Sequence, residues 1–218
     1  MNPTVLLIVV LLCGIEVSFT KVISANVLLI LVGLVIMLFR QANWRSYVRL
    51  FLLPLLPALG VWFSMTYFSV GHDIHFAWVL ATRIYAYSFL GAIFTFSTTI
   101  SQTLASLEQN AHIPTTFVYG MLAALNFVPK IRSEVQTIKV SAQMRGITLH
   151  FWSPQLLFKS ILAALKWSEN LAEAMTSHGF AENKPRTHYS VIKISWWNYL
   201  VAIIALAIFQ MFLFAGLP

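Results

Sequence analysis

Residues 129–185 read PKIRSEVQTIKVSAQMRGITLHFWSPQLLFKSILAALKWSENLAEAMTSHGFAENKP, and the rest of the chain is organised around this stretch. Two amphipathic helical patterns follow one another in it, and each ends at a glycine, Gly146 or Gly179. Most of the sequence on either side is apolar enough to lie in a lipid bilayer. We expect a membrane protein that keeps two charged helices in water to use them for binding another protein.

The composition is typical of a membrane protein. Hydrophobic residues make up 59% of the 218 residues and charged residues only 10%, whereas soluble proteins average about 25% charged residues. The net charge of +7 does not indicate nucleic-acid binding, because the basic residues are spread over loops between apolar runs without an aromatic–basic motif. The single cysteine, Cys13, cannot form an internal disulfide or a thiolate metal cluster.

Five apolar runs are long enough to cross a hydrocarbon layer about 30 Å thick. We predict membrane helices over residues 3–19, 22–39, 50–70, 76–97 and 194–217. Residues 98–193 differ, since they contain nine Lys/Arg and five Glu. The predicted fold is an all-α membrane protein with about five transmembrane helices and a cytoplasmic domain of amphipathic helices. Its predicted parts are residues 1–97 with about four spans, the water-facing residues 98–193, and a last span in 194–218.

The distribution of basic residues predicts the orientation in the membrane. Segments 40–49 and 98–193 hold twelve of the fourteen Lys/Arg, and with five spans both lie on one side. By the positive-inside rule that side is cytoplasmic, so the N-terminus is expected inside and the C-terminus outside.

Two charged residues fall inside apolar runs. Arg83 is expected to make an inter-helix or inter-subunit contact, or to reach the nearer membrane interface with its long side chain. Glu16 is expected either to reach the headgroups or to contact a neighbouring helix or subunit.

The first amphipathic helix is predicted over Pro129 to Arg145. Its apolar positions, spaced by four, three and four residues, form one stripe: Ile131, Val135, Ile138 and Ala142. Gly146 is expected to adopt the left-handed conformation that ends a helix, which places Arg145 at the tip. A cation at this end complements the helix dipole, which is the structural alternative to a binding role for Arg145.

The second amphipathic helix is predicted to begin at Ser153-Pro154, an N-cap followed by proline, and to end at Gly179. Its predicted buried line consists of Leu157, Ile161, Leu165, Ser168, Leu171 and Met175. His178 occupies the position before the glycine that Arg145 occupies in the first helix. Two helices that end alike suggest paired contact points.

A set of motifs occurs in a consistent order over about half of the chain. The set is Arg83 within a span, Thr98-Thr99, Leu104, Pro114, Phe127-Val128-Pro129 with Glu134, Ala142-Gln143-x-Arg145-Gly146, Pro154, and Ala174-Met175-x-x-x-Gly179-Phe180 with Arg186. Together they resemble the transmembrane (T) component of energy-coupling factor transporters, the CbiQ-like family. No single motif is specific, but the ordered set is.

The resemblance implies a non-catalytic scaffold of a bacterial or archaeal cell-membrane importer. Two cytoplasmic coupling helices of such a protein dock on a pair of ABC-type ATPase subunits, while other helices hold a small substrate-binding membrane subunit (S component). The implied substrate is a vitamin, a vitamin precursor or a transition metal ion. This chain would bind no cofactor itself, since ATP and Mg²⁺ belong to the ATPases.

The resemblance also implies which residues dock on the ATPases. They are Ala142, Gln143, Met144, Arg145 and Gly146 of the first helix, and Ala174, Ser177, His178 and Gly179 of the second. The family pattern has alanine where this chain has Met144, and Ala-Arg-Gly where it has Ser177-His178-Gly179. A histidine keeps a hydrogen-bond donor but is largely uncharged at pH 7, so the second helix is expected to dock differently, for instance on an unlike ATPase.

Other functions are indicated less well by the residues. His72-x-x-His75 with Asp73 contains metal-binding side chains, but such a group in a short loop is usually solvated, and no metal site is predicted. A membrane enzyme is disfavoured because H-E-x-x-H, G-x-S-x-G, P-loop and paired intramembrane acids are absent. The alternative transport function is a substrate-binding subunit or a conventional permease, which would need more polar groups at mid-membrane than these spans offer.

Overall fold

The computed structural model describes residues 2–40, 43–68, 74–181, 184, 187–188 and 191–214, and in these residues it contains eight α-helices and no strand. In chain order they are α1 (Pro3–Phe19), α2 (Ile23–Phe39), α3 (Trp44–Phe68), α4 (Ile74–Ser97), α5 (Ile100–Ala111), α6 (Thr115–Gln143), α7 (Pro154–Ser177) and α8 (Trp196–Phe214). His72, Asp73 and Arg186 lie outside the described residues. The all-α fold class is confirmed.

Helices occur at each of the five predicted membrane runs. Three of them, α3, α4 and α8, are long and apolar enough to cross a membrane. Helices α1 and α2 are equally apolar but have 17 residues each, which gives a length of roughly 26 Å at 1.5 Å per residue. Helix α3 begins at Trp44, so it includes residues 44–49 of the arginine-rich segment, and it continues through Pro54 and Pro57.

The chain forms two compact units, and the first comprises residues 1–111 and 191–218. Its apolar core lies where α4 packs against α1, α2 and α3, with α8 against α1 and α2. Val17, Ala25 and Ala86 in this core are fully buried. Small side chains at such positions let apolar helices approach closely.

A buried polar cluster ties α5 to the start of α1. The hydroxyl of Ser106, which is 0% exposed, donates to Asn2 Oδ1 at 2.6 Å and lies 2.6 Å from Thr4 Oγ1. Asn110 Nδ2 donates to the same hydroxyl at 3.1 Å. Helix α5 therefore belongs to the first unit, and the second unit begins at residue 112.

The charged residues of the apolar runs make contacts between elements of the first unit. The half-buried Arg83 donates through Nη2 to the carbonyl of Thr20, which lies between α1 and α2. Gln210 Nε2 of α8 lies 3.4 Å from Glu16 Oε1 of α1. Arg83 and Glu16 thus each join α1 or its following turn to another helix of the same chain.

The second unit, residues 112–190, is built on α6 and α7, which pack against each other. Helix α6 runs from Thr115 to Gln143 as one helix with Pro129 inside it, so the predicted boundary at Pro129 is wrong. Pro129 is exposed, and one missing hydrogen bond at an exposed position is tolerated in a 29-residue helix whose other face packs on α7.

Candidate functional site

The end of α6 is closed by backbone hydrogen bonds around Gly146. Gly146 has a φ of +76°, its N–H donates to the Gln143 carbonyl at 2.9 Å, and the N–H of Ile147 donates to the Ala142 carbonyl at 3.0 Å. This pair of bonds is the Schellman motif, which satisfies the last carbonyls of a helix. The predicted left-handed glycine is confirmed, and Arg145 is held exposed in the last turn before it.

The end of α7 repeats the same geometry. Gly179 has a φ of +83°, its N–H donates to the Thr176 carbonyl at 3.0 Å, and the N–H of Phe180 donates to the Met175 carbonyl at 2.8 Å. His178 is therefore exposed at the position that corresponds to Arg145. The sequence predicted this equivalence, and the backbone geometry of the two helix ends confirms it.

The structure does not bring these two helix ends together. Lys130 Nζ of α6 lies 4.6 Å from the ring centroid of Trp167 of α7, while the ring centroids of Tyr119 and Phe180 are 5.8 Å apart. The helices are therefore antiparallel. Because the end of α7 lies beside Tyr119, the tips are separated by roughly 39 Å, the rise of the 26 residues from 119 to 145.

Each tip lies beside a cavity between the two helices. The cavity beside Arg145 has a volume of about 210 Å³ and is also lined by Glu134, Gln155 and Lys159. The larger one beside His178, of about 930 Å³, has a mainly apolar lining that includes Phe127. A partner that docks on both tips meets a small, charged recess at one end and a large apolar recess at the other.

The predicted docking residues differ in accessibility. Around the first tip, Gln143, Met144, Arg145 and Gly146 are exposed, with Met144 at 85%. Ala142 is only 7% exposed, so its side chain packs mainly within the pair of helices. Around the second tip, Ala174, Ser177, His178 and Gly179 are all exposed.

The predicted buried line of α7 is wrong at its first four positions, Leu157, Ile161, Leu165 and Ser168, which are all exposed. Leu157, Ile161 and Leu165 are 48%, 58% and 57% exposed, whereas Leu156 is 2% exposed. The face that packs on α6 carries Leu156, Ser160, Ala163, Trp167, Leu171 and Met175. Helix α7 has apolar residues on two adjacent faces, and a periodic pattern alone cannot show which one α6 covers.

The sequence therefore missed an exposed apolar face on α7. It consists of Leu157, Phe158, Ile161, Leu162 and Leu165, each at least 48% exposed. The signal for it was present, since two overlapping apolar stripes in one amphipathic helix indicate two contacts. A contiguous apolar surface of this kind marks an interaction site or a membrane contact.

No group of three or more His, Cys, Asp or Glu among the described residues could hold a metal ion. Comparison with known proteins gives one family. The family model CbiQ, described as a cobalt transport protein, matches residues 1–189, which include α1 to α7. No curated protein sequence matches the chain.

Proposed function

This chain belongs to the CbiQ family of cobalt transport proteins, and on that premise we propose that it is the energy-coupling membrane subunit of an ATP-driven importer. It is a membrane protein and a transport component of that family. In the proposed complex, two ABC-type ATPase subunits dock on the tips of α6 and α7. A separate small membrane subunit binds the substrate.

The observation that carries this proposal is the repeated tip. Two helices of one unit end in the same Schellman geometry and present an exposed Arg145 and an exposed His178 at the corresponding position. Two such tips roughly 39 Å apart, the rise of about 26 helical residues, suit two docking grooves, one on each ATPase. One ATPase groove binding both tips would need them close together.

Arg145 is proposed to bind a carboxylate of one ATPase. An arginine guanidinium is always charged and makes two parallel hydrogen bonds to a carboxylate. The Schellman closure leaves no further helical turn beyond Arg145 that would block its approach to a groove. His178 offers fewer donors, so the second tip is proposed to dock on an ATPase groove of different character.

Coupling then follows from the rigidity of the paired helices. If the ATP-bound, closed ATPase pair prefers one spacing of the tips, ATP binding shifts the equilibrium of α6 and α7 toward that arrangement. Between the two cavities the helices are in contact, as in the packing of Lys130 of α6 on Trp167 of α7, and this contact is proposed to transmit the displacement of one helix to the other. The substrate-binding subunit is proposed to tilt in response.

The exposed apolar face of α7 supports the second partner. Its side chains, Leu157, Phe158, Ile161, Leu162 and Leu165, point away from α6, and the apolar surface of a small membrane subunit would cover them. Because the proposal places specificity in that subunit, the substrate remains a vitamin, a vitamin precursor or a transition metal ion such as the cobalt of the family description.

The proposed location is the cell membrane of a bacterium or archaeon. The segments rich in basic residues, 40–49 and 98–193, are placed in the cytoplasm by the positive-inside rule. This orientation puts both tips on the side where ATP is available. The N-terminus would be cytoplasmic and the C-terminus outside.

Charge reversal at the first tip tests the proposal. We expect Arg145→Glu to abolish co-purification of the full chain with co-expressed ABC-type ATPases, because an acid would face the acidic groove. The measurement is affinity purification from co-expressing cells together with uptake of the substrate of the co-expressed substrate-binding subunit. Arg132→Glu is the matched control, since Arg132 is exposed on the same helix away from the tip.

Assembly and uptake at wild-type levels in Arg145→Glu would overturn the docking assignment. The same experiment with His178→Ala tests the second tip. Unchanged assembly and uptake in that variant would remove His178 from the proposed interface while leaving the role of Arg145 intact.

A further inference from the structure

The start of α3 carries an isolated group of arginines. Arg40 follows α2, while Arg45 and Arg49 lie one turn apart at the start of α3 beside Trp44, which is 80% exposed. Arg40, Arg45 and Arg49 are all exposed. Tryptophan and arginine together at the end of an apolar helix are typical of the headgroup region of a membrane.

Acidic residues are scarce in the sequence around these arginines. Between Glu16 and Glu108 the sequence contains one acid, Asp73, which follows the other end of α3. Arg49 Nε donates at 3.2 Å to the Arg45 carbonyl, so its guanidinium is positioned by its own helix and not by a carboxylate.

An apolar groove begins beneath the arginines. Its α3 side is formed by Ser46, Arg49, Leu50, Leu53 and Pro54, and its α4 side by Ser88 and Phe96. The groove has a volume of about 550 Å³ and adjoins a polar recess lined by Asn43, Trp44, Arg45 and Arg49. Arg49 lines both, so the polar recess and the apolar groove lie on either side of one arginine side chain.

We propose that this recess and groove bind one anionic phospholipid. Arg45 and Arg49 bind the phosphate, because the N–H donors of their planar guanidinium groups match its oxygens. An acyl chain lies along the groove over the roughly 12 Å from Ser46 to Pro54, eight residues of helix. The first turn of α3 adds the positive end of its dipole to the phosphate site.

The geometry favours a lipid over the other anions that arginines bind. A free phosphate would use the polar recess but not the groove, and an acidic protein surface would use neither Leu53 nor Phe96. The positive recess and the apolar groove meet at Arg49, where a lipid phosphate joins its headgroup to its acyl chains. Basic recesses between membrane helices are known to select anionic headgroups.

Native mass spectrometry of the full chain in detergent tests this proposal. The probes are phosphatidylglycerol, phosphatidylcholine with the same acyl chains, and inorganic phosphate. We expect one saturable phosphatidylglycerol site and weaker binding of the other two probes. The double variant Arg45→Gln/Arg49→Gln should bind phosphatidylglycerol about 30-fold more weakly, since each arginine near an anionic headgroup contributes about fivefold in affinity.

The matched control is Arg132→Gln/Lys166→Gln, which removes two exposed positive charges from α6 and α7. It should retain wild-type binding, and circular dichroism should show both double variants folded. Undiminished phosphatidylglycerol binding by Arg45→Gln/Arg49→Gln overturns the site. If both double variants lose phosphatidylglycerol binding equally, the net charge of the protein explains the binding and the proposed site is overturned. If inorganic phosphate binds as tightly as the lipid, the role of the groove is overturned.

Discussion

At the scale of single residues, close contacts between helices depend on glycine and on small polar side chains. Gly33 of α2 lies against Phe89 of α4, where an added Cβ would come 2.9 Å from Phe89 Cδ1 and 3.0 Å from Phe89 Cβ. Phe89 itself is 0% exposed and its ring lies 5.5 Å from that of Phe51. Gly33 therefore allows α2 to approach an aromatic side chain that has no room to move away.

We expect Gly33→Ala to lower the free energy of unfolding by about 1–3 kcal/mol, because overpacking forces a buried side chain or its backbone to shift. Thermal unfolding of the purified chain in detergent measures this loss of stability. Gly60→Ala is the matched control, since an added Cβ at this position of α3 meets nothing within 4 Å. Equal melting temperatures for the two variants would mean that α2 and α4 do not meet at Gly33.

At the scale of the element, α7 shows how one helix serves two surfaces. Leu156 and Trp167 pack on α6, while Leu157, Ile161 and Leu165 remain exposed on the adjacent face. A helix that is apolar over more than half of its circumference can bury an apolar face equally well at several rotations about its axis. Only the position of α6 selects one of them.

Truncating one leucine on each face distinguishes the two surfaces. We expect Leu156→Ala to destabilise the pairing of α6 and α7 by about 2–5 kcal/mol, the cost of removing a buried leucine. Leu165→Ala, on the exposed face, should change it by less than about 0.5 kcal/mol. Hydrogen exchange of the α6 and α7 amides in the isolated full chain measures both, and a larger effect of Leu165→Ala would show that the faces are assigned the wrong way round.

At the scale of the whole molecule, the chain divides into two compact units, and α5 belongs to the first. The Ser106 hydroxyl has one proton, which it donates to Asn2, so the Thr4 hydroxyl donates to Ser106. The Ile192 N–H also donates to Gln109 Oε1 at 2.8 Å. Hydrogen bonds of this kind attach the short, weakly apolar helix α5 to the first unit.

Removing the central hydroxyl should loosen α5. Ser106→Ala leaves buried groups of Asn2 and Thr4 without this partner, which costs about 1–3 kcal/mol. We expect faster hydrogen exchange of the α5 amides and a lower melting temperature. Ser101→Ala on the same helix is the control because Ser101 is exposed, and the same exchange rates in both variants would argue against the cluster.

The sequence by itself determined the fold class, the places of the five apolar helices and the two glycine-terminated helix ends. These features depend on local physical chemistry: the hydrophobicity of a run, the proline at the start of α7, and the ability of Gly146 and Gly179 to adopt positive φ. The resemblance in the motifs likewise agreed with the family that residues 1–189 match.

Only the tertiary structure decided which face of α7 is covered and that α6 continues through Pro129. It also placed α5 in the first unit. Finally, it showed that Arg145 and His178 lie at opposite ends of an antiparallel pair of helices. Each of these depends on which element lies beside another. Hydrophobic burial is not directional, so an apolar pattern shows that a surface must be covered, but the partner and its orientation are set by long-range packing.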